Sequence, residues 1–384
     1  MNLAAISAAP LNICVVSHQA YGALTESGGH IGGVERQTAL LARWLAARGH
    51  RVSMITWDEG GADGIASGGV ATIPLCREDA GWPGARFVHP RWTSLVGALR
   101  AADAALYYHN CAEYVTGQIA LWCRARGRKF VYSAASNADC DARLPFLATR
   151  RERILYRIGL RRADRIVVQT ETQRRLLKAG FGLDAVTIPM PCAAPGPLSA
   201  ELPGRTGRHR VVWIGRLCTV KRPDLFLDLA DRCRDLIFDL VGPDDGSSYA
   251  RGVLARATSM ANVRVRGSLT HAAVLGLLDE TLCLCCTSEI EGFPNTFVEA
   301  WSRGVPTLST FDPDGVIERH GLGAIAAGVD ELPVRLRCLL GPGEWNRAST
   351  NAYRYYRDAH TIEATLPRLE TVFQDVLAGQ AGPQ

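Results

Sequence analysis

In the stretch EIEGFPNTFVE, Glu291 precedes a Gly-Phe-Pro turn, and Glu299 follows seven intervening residues later in what reads as a helix. Directly before it stands the apolar run LCLCC, residues 282–286, which reads as a buried strand. The carboxyl end of a buried parallel strand is where open α/β sheets place ligands. A carboxylate there can accept two hydrogen bonds from a vicinal diol, as in a ribose or a hexose. If Pro294-Asn295 begins the helix, the amides near Asn295 and Thr296 suit a phosphate. A plainer reading makes Glu299 an acid that balances a helix macrodipole. That accounts for one glutamate but not for the pair with the turn between.

Two other loops carry chemistry of the same kind. Gly215-Arg216 follows the run VVWI, and Lys221 comes five residues on, before Arg222-Pro223. Cations at a strand end beside a helix start form a clamp for a polyanion, Arg by its fork and Lys as a point charge. Taken alone, an Arg-x4-Lys spacing reads first as a solvated basic loop. Near the amino terminus SGGHIGG, residues 27–33, offers Gly28, Gly29, Gly32 and Gly33 between a strand and a helix, where backbone amides can approach an anion. The dinucleotide fingerprint G-x-G-x-x-G would need glycine where Ser27 stands, and the loop from Ser17 to Gly33 is too long for that tight turn.

The elements that must position these loops alternate. Residues 11–17 read as a strand, 34–48 as a helix stopped by Gly49, and 51–56 as the next strand, a β-loop-α-β unit. Further strands read at 104–108, 130–133 and 165–169. MPCAAPGPLSAELPGRTGR then breaks the pattern with Pro, Gly and Ala. The alternation restarts with strands at 210–214, 238–241, 263–266, 282–287 and 307–309 and a helix at 223–234. The expected organisation is two doubly wound, Rossmann-like α/β domains, 1–190 and 209–345, joined by a linker at 191–208. A carboxyl-terminal helical segment, 346–384, is expected to pack back across both domains and to end on the amino-terminal one.

Composition narrows the class. At 384 residues two domains are the natural expectation, and 47% apolar with 21% charged residues is ordinary for a globular protein. A net charge of +5 argues against a dedicated nucleic-acid binder. The 12 cysteines are scattered, and adjacent Cys285 and Cys286 point to opposite faces of a strand, which suits neither zinc nor a disulfide framework. A reducing cytoplasm is the simplest compartment. MNLAAISAAP lacks the features of a signal peptide, and no apolar run reaches the ~18 residues of a membrane span.

Together these residues resemble a known family. EGFPNTFVE followed by AWSRGVP looks like the Glu-x7-Glu hallmark of glycosyltransferase family 4 in the GT-B fold, and GGVERQ, GRLCTVKRPDLFL and ADRIVVQTE fit that family at matching places. The resemblance implies a retaining transferase that takes a sugar from a nucleoside diphosphate donor and passes it to a glycan, lipid-linked or small-molecule acceptor, as in surface polysaccharide biosynthesis. By that analogy Arg216 and Lys221 neutralise the diphosphate, Glu291 faces the donor sugar and Glu299 the ribose. Gly32 and Gly33 approach the diphosphate, and Gly292, Phe293, Pro294, Asn295 and Thr296 line the donor. His109, in LYYHNCAEY, lies near the place of a histidine that touches the donor sugar. Where the family commonly has Asn-Gly after VTIP, this chain has Met190-Pro191. A sugar-nucleotide epimerase of the same fold and a catalytically silent nucleotide-sugar-binding module are the competing readings.

Two Asp-x-Asp pairs, Asp139 with Asp141 and Asp312 with Asp314, invite a metal reading. With Arg216 and Lys221 at hand no metal is needed, and the expectation is acceptor-side loop for the first pair and turn chemistry for the second. RRERILYRIGLRRADR, which runs from Arg150 to Arg165, interleaves Ile154, Leu155 and Ile158 with Arg151, Arg153, Arg157, Arg161 and Arg162. Such a helix either lies on an anionic membrane, where lipid-linked acceptors are presented, or forms a solvated face above a core.

Overall fold

A computed structural model of the chain describes residues 9–25, 32–60, 64–193 and 210–380. Gly28 and Gly29, and residues 194–209 with most of the expected linker, lie outside the described residues.

The first sheet contains β1 (Asn12–Val16), β2 (Arg51–Thr56), β3 (Gly64–Ala66), β4 (Val70–Pro74), β5 (Leu106–Asn110), β6 (Lys129–Ser133), β7 (Arg165–Val168) and β8 (Val186–Thr187). Its order is β3-β4-β2-β1-β5-β6-β7-β8, parallel apart from β3. The second contains β9 (Arg210–Ile214), β10 (Ile237–Val241), β11 (Val263–Gly267), β12 (Thr281–Cys286), β13 (Thr307–Ser309) and β14 (Gly323–Ile325), all parallel, in the order β11-β10-β9-β12-β13-β14. Each order runs outward from its first long strand one way and then the other, so each sheet is doubly wound as expected. The reversal falls between β1 and β5 in one sheet and between β9 and β12 in the other, and those are the points where ligands gather.

Burial on both faces explains why these strands read as continuous apolar runs. In β12, Cys283 and Cys285 join a core with Trp213, Phe226 and Phe238, while Leu284 and Cys286 join another with Phe297 and Trp301. All twelve cysteines are free, and these serve as small apolar side chains. Four strands escaped the sequence reading. β3, β8 and β14 have two or three residues and so no periodicity, and β4 (VATIP) ends in proline. β14 fits beside β13 because Gly323 lacks a Cβ, which would stand 1.8 Å from the Thr307 carbonyl oxygen.

The contacts divide the chain into Met1–Ile188 with Leu366–Gln384, and Pro189–Thr365. The second change of unit falls inside the helix Ile362–Leu377. It therefore comes some twenty residues later than the expected boundary at 346. The cause is the helix Pro342–Ala359, whose Trp345, Ala348, Ala352 and Tyr356 are buried in the second unit's cores. Trp345 also donates its indole N–H to the Leu282 carbonyl at 2.7 Å. What belongs to the first unit is the part beyond Leu366. There buried Glu370 accepts from His50 Nε2 at 2.7 Å and pairs with Arg48 at 3.0 Å, and Phe373 packs edge-on to Tyr108. The Leu11 amide donates to His50 Nδ1, so the imidazole is the tautomer with its proton on Nε2. Among the described residues no helix is long and apolar enough to cross a membrane.

Candidate functional site

At the reversal point of the second sheet, the loop leaving β9 is built by close backbone approach. The Gly215 amide donates to the Val241 carbonyl at 3.0 Å, and a Cβ on Gly242 would stand 1.8 Å from the Gly215 carbonyl oxygen. Gly242 has φ +137°, so glycine is needed there on both counts. Leu217 is buried beneath the loop and leaves Arg216 exposed. The next turn closes with the Lys221 and Arg222 amides on the Cys218 carbonyl, at 3.1 and 3.2 Å. Arg222 is left-handed, φ +50°, and caps the helix Pro223–Arg232.

One hydroxyl holds this turn to β12. Thr287, the residue after the strand, donates to the carbonyls of Arg222 at 2.7 Å and Lys221 at 3.0 Å, and accepts from the Trp213 indole at 3.0 Å. The Glu289 amide adds a bond to the Val220 carbonyl at 2.9 Å. With the two loops clamped, the Lys221 ammonium pairs with the Glu291 carboxylate. The sequence reading singled out both residues, and the structure brings them together. It missed Thr287, whose one signal was a hydroxyl at the end of an otherwise apolar strand.

The helix after the turn runs Asn295–Trp301, with Pro294 as its cap, as the spacing predicted. At seven residues it has a weak macrodipole. Glu299 lies past its first turn and is buried, which removes the dipole-balancing reading. Its carboxylate stands 3.5 Å from Nδ1 of His271, the first residue of the helix His271–Asp279. Nothing in the sequence pattern flagged His271. Phe293 and Pro294, expected to line a donor, are buried, and the Phe293 ring packs on Trp301 and His360. Whatever this turn presents to a ligand is therefore backbone, together with the half-buried Asn295 and Thr296.

The first sheet has its own constellation at the ends of β1 and β5. His109 lies inside β5 rather than beyond it, because the strand begins two residues later than expected. Its Nδ1–H donates to the Val16 carbonyl at 2.8 Å, which leaves Nε2 as the acceptor. That nitrogen is buried without a partner among the described residues. Burial pushes the His109 imidazole below its usual range, so the ring is neutral. Glu113 lies 3.4 Å from His18 Nδ1. Burial works against its ionisation, but the hydrogen bond and charge of His18, with help from His109 and the Cys111 thiol, bring its carboxyl down to about 2. His18 also stacks on Trp57 at 4.4 Å. Cys111, which lies between His109 and Glu113 in the chain, has φ +67°, a strained backbone position for a residue with a Cβ.

Gly32 caps the helix Gly33–Ala47 in extended geometry. The space where an anion was expected is lined by the chain's own acid, since a Cβ on Gly32 would stand 2.4 Å from Glu35 Oε2. The Asp pairs are engaged locally. The Asp139 carboxylate accepts from the Ala135 amide at 2.8 Å and from the Ser136 amide and hydroxyl at 3.2 and 2.8 Å, and Asp141 pairs with Arg143. Asp312 accepts from the Ile317 and Glu318 amides at 2.9 and 3.1 Å.

In the helix Arg150–Arg162, Leu155 is buried and only Ile154 of the three apolar residues is exposed. The opposite side packs so tightly on the helix Tyr114–Arg126 that a Cβ on Gly117 would stand 2.2 Å from the Leu155 carbonyl oxygen.

Residues 32–191 match the family described as "Glycosyl transferase 4-like domain", and residues 208–340 the family described as "Glycosyl transferases group 1". No curated protein matches the sequence significantly. Among solved structures, sucrose-phosphate synthase from Thermosynechococcus elongatus is similar with TM-score 0.79 and 16% identity, covering 96% of this chain and 99% of that one. HepE from Anabaena in complex with UDP-glucose is similar with TM-score 0.74 and 14% identity, covering 95% and 100%. WaaG, a glycosyltransferase involved in lipopolysaccharide biosynthesis, is similar with TM-score 0.69 and 16% identity, covering 96% and 100%. At such identities the likeness is one of fold, and that fold is GT-B.

Proposed function

We propose that this chain, which belongs to the GT-B glycosyltransferases with a 4-like amino-terminal domain and a group 1 carboxyl-terminal domain, is a family 4 enzyme that transfers a hexosyl group from a nucleoside diphosphate sugar with retention. The acceptor is a glycan, a lipid-linked sugar or a small molecule, in surface polysaccharide biosynthesis. The compartment is the cytoplasm, which suits twelve free thiols.

The observation that carries this reading is the Lys221–Glu291 pair, clamped by Thr287 at the reversal point of the second sheet beside exposed Arg216. A diphosphate placed there competes with Glu291 for the Lys221 ammonium. When it wins, the carboxylate is released toward the hydroxyls of the donor sugar. As the glycosyl bond breaks, charge grows on the phosphate, and fixed cations stabilise it in the transition state more than in the ground state. Arg216 and Lys221 supply that charge, so the reaction needs no metal. With no enzyme nucleophile assigned, retention follows from front-face displacement in which the leaving phosphate takes the acceptor's proton. Glu299 binds the ribose, and His271 holds its carboxylate in place. In the first unit, His109 offers its unprotonated Nε2 as an acceptor for a sugar hydroxyl.

Calorimetry with UDP, GDP and ADP tests the assignment. Arg216→Ala and Lys221→Ala should each weaken binding of the preferred nucleotide roughly tenfold or more, since a charge-assisted contact is worth ~1.5–3 kcal/mol. Glu291→Ala should behave oppositely, binding the free diphosphate as tightly or more tightly while turnover of the sugar nucleotide falls. Unchanged affinity in both cation variants would remove this loop from the site. The anomeric configuration of the product, read by NMR, decides retention.

A further inference from the structure

Four of the large apolar side chains that stand in solvent belong to one neighbourhood of the first unit: Trp82 (84% exposed), Val88 (60%), Phe146 (56%) and Ile154 (58%). On the helix Arg150–Arg162, Ile154 lies in an exposed stripe with Arg150, Arg157 and Arg161, at the i, i+4, i+7 and i+11 positions of one helix face. On one flank Arg151 covers the Phe87 ring at 3.8 Å, which brings Val88 alongside. On the other, Arg153 Nε donates to the carbonyl of Leu147, the residue after Phe146, at 2.8 Å. Trp82 caps the same segment as Val88. Its carbonyl accepts from the Ala85 and Arg86 amides at 3.1 and 2.9 Å.

The charge on this face is predominantly positive, with Glu78 an exposed acid at its Trp82 end. The helix carries six arginines against one acid, Glu152, whose carboxylate is held by the Thr149 amide. Arg143 and Asp141 neutralise each other, as do Arg77 and Asp79 near Trp82. Arg150, Arg161 and Arg162 have no acidic partner among the described residues.

We propose that this face docks the first unit on an anionic lipid bilayer. The arginines lie at the level of the phosphates, and Trp82, Val88, Phe146 and Ile154 enter the acyl boundary. The pairing of charge with apolar exposure selects this occupant. A nucleic acid would meet the arginines but leave four apolar side chains in water. A second copy in a two-fold contact would set arginine against arginine. The inference rests on exposure and charge in the first unit and is independent of the donor chemistry proposed for the second.

Co-sedimentation of the full chain with vesicles tests it, using phosphatidylcholine alone and phosphatidylcholine mixed with phosphatidylglycerol. Binding is expected to the mixed vesicles only and to weaken as salt is raised. The triple variant Arg150→Gln, Arg161→Gln, Arg162→Gln should lower partitioning roughly a hundredfold, at about fivefold per arginine. Trp82→Ser with Ile154→Ser should lower it by roughly tenfold or more with the charge unchanged, because two apolar side chains no longer enter the acyl boundary. Melting temperatures matching wild type confirm that each variant folds. Absence from both vesicle pellets, or equal binding to both vesicle types, overturns the proposal. So does a concentration-dependent dimer in ultracentrifugation that Trp82→Ser abolishes, or binding of single-stranded DNA that only the arginine variant loses.

Discussion

Acid should destabilise the second unit through one histidine, His360. It is buried, and Phe293, Trp301 and Tyr355 surround its ring with centroids at 4.9, 6.2 and 5.4 Å. Its Nδ1–H donates to the Met190 carbonyl at 2.8 Å, and its own carbonyl accepts from the Cys192 amide at 2.8 Å. Nε2 is buried with no partner among the described residues, so a second proton would have nothing to meet. Burial pushes the imidazole from 6.5 down to about 4, against a smaller upward effect of the Met190 bond. The folded state therefore binds fewer protons than the unfolded state between these values. The stabilising contribution is complete above 6.5 and is lost as pH falls toward 4. Linkage between those two values gives a loss of roughly 2.5 kcal/mol from about pH 7.5 to about pH 4.5. His360→Asn keeps an N–H donor near the Met190 carbonyl and does not titrate. Urea unfolding of both proteins at the two pH values isolates this residue, because every other titrating group, His109 included, is common to both. The advantage of wild type over the variant should shrink by roughly 2.5 kcal/mol on acidification. An advantage that stays constant across pH would refute the reasoning, since it would mean that His360 titrates alike in both states.

Two further outcomes follow from the candidate site. Glu299→Gln should raise the donor KM roughly tenfold with a smaller effect on kcat, because a ribose contact is made equally in ground and transition states; steady-state kinetics in which kcat falls alone would exchange its role with that of Glu291. Turnover should survive thorough chelation unchanged within assay error, because Arg216 and Lys221 carry the charge on the diphosphate; loss in EDTA with recovery in manganese would put a cation into the reaction.

What the sequence determined by itself is whatever depends on local pattern. Continuous apolar runs bounded by turns mark buried parallel strands, and strand-loop-helix repetition on either side of a Pro- and Gly-rich break implies two doubly wound sheets. Residue type and position at strand ends were enough to single out Arg216, Lys221, Glu291 and Glu299, since ligands gather where such strands end. Tertiary structure decided which of these meet. Lys221 and Glu291 lie seventy residues apart in the chain and come together only because β9 and β12 are neighbours and Thr287 bonds across the two loops. The His271 partner of Glu299, the inward packing of Phe293 and the burial of Leu155 beside an exposed Ile154 are long-range outcomes of the same kind. The boundary at Leu366 was likewise invisible locally. Two consecutive amphipathic helices look alike in sequence, and only the pocket that takes Trp345 and the one that takes Phe373 assign them to different units.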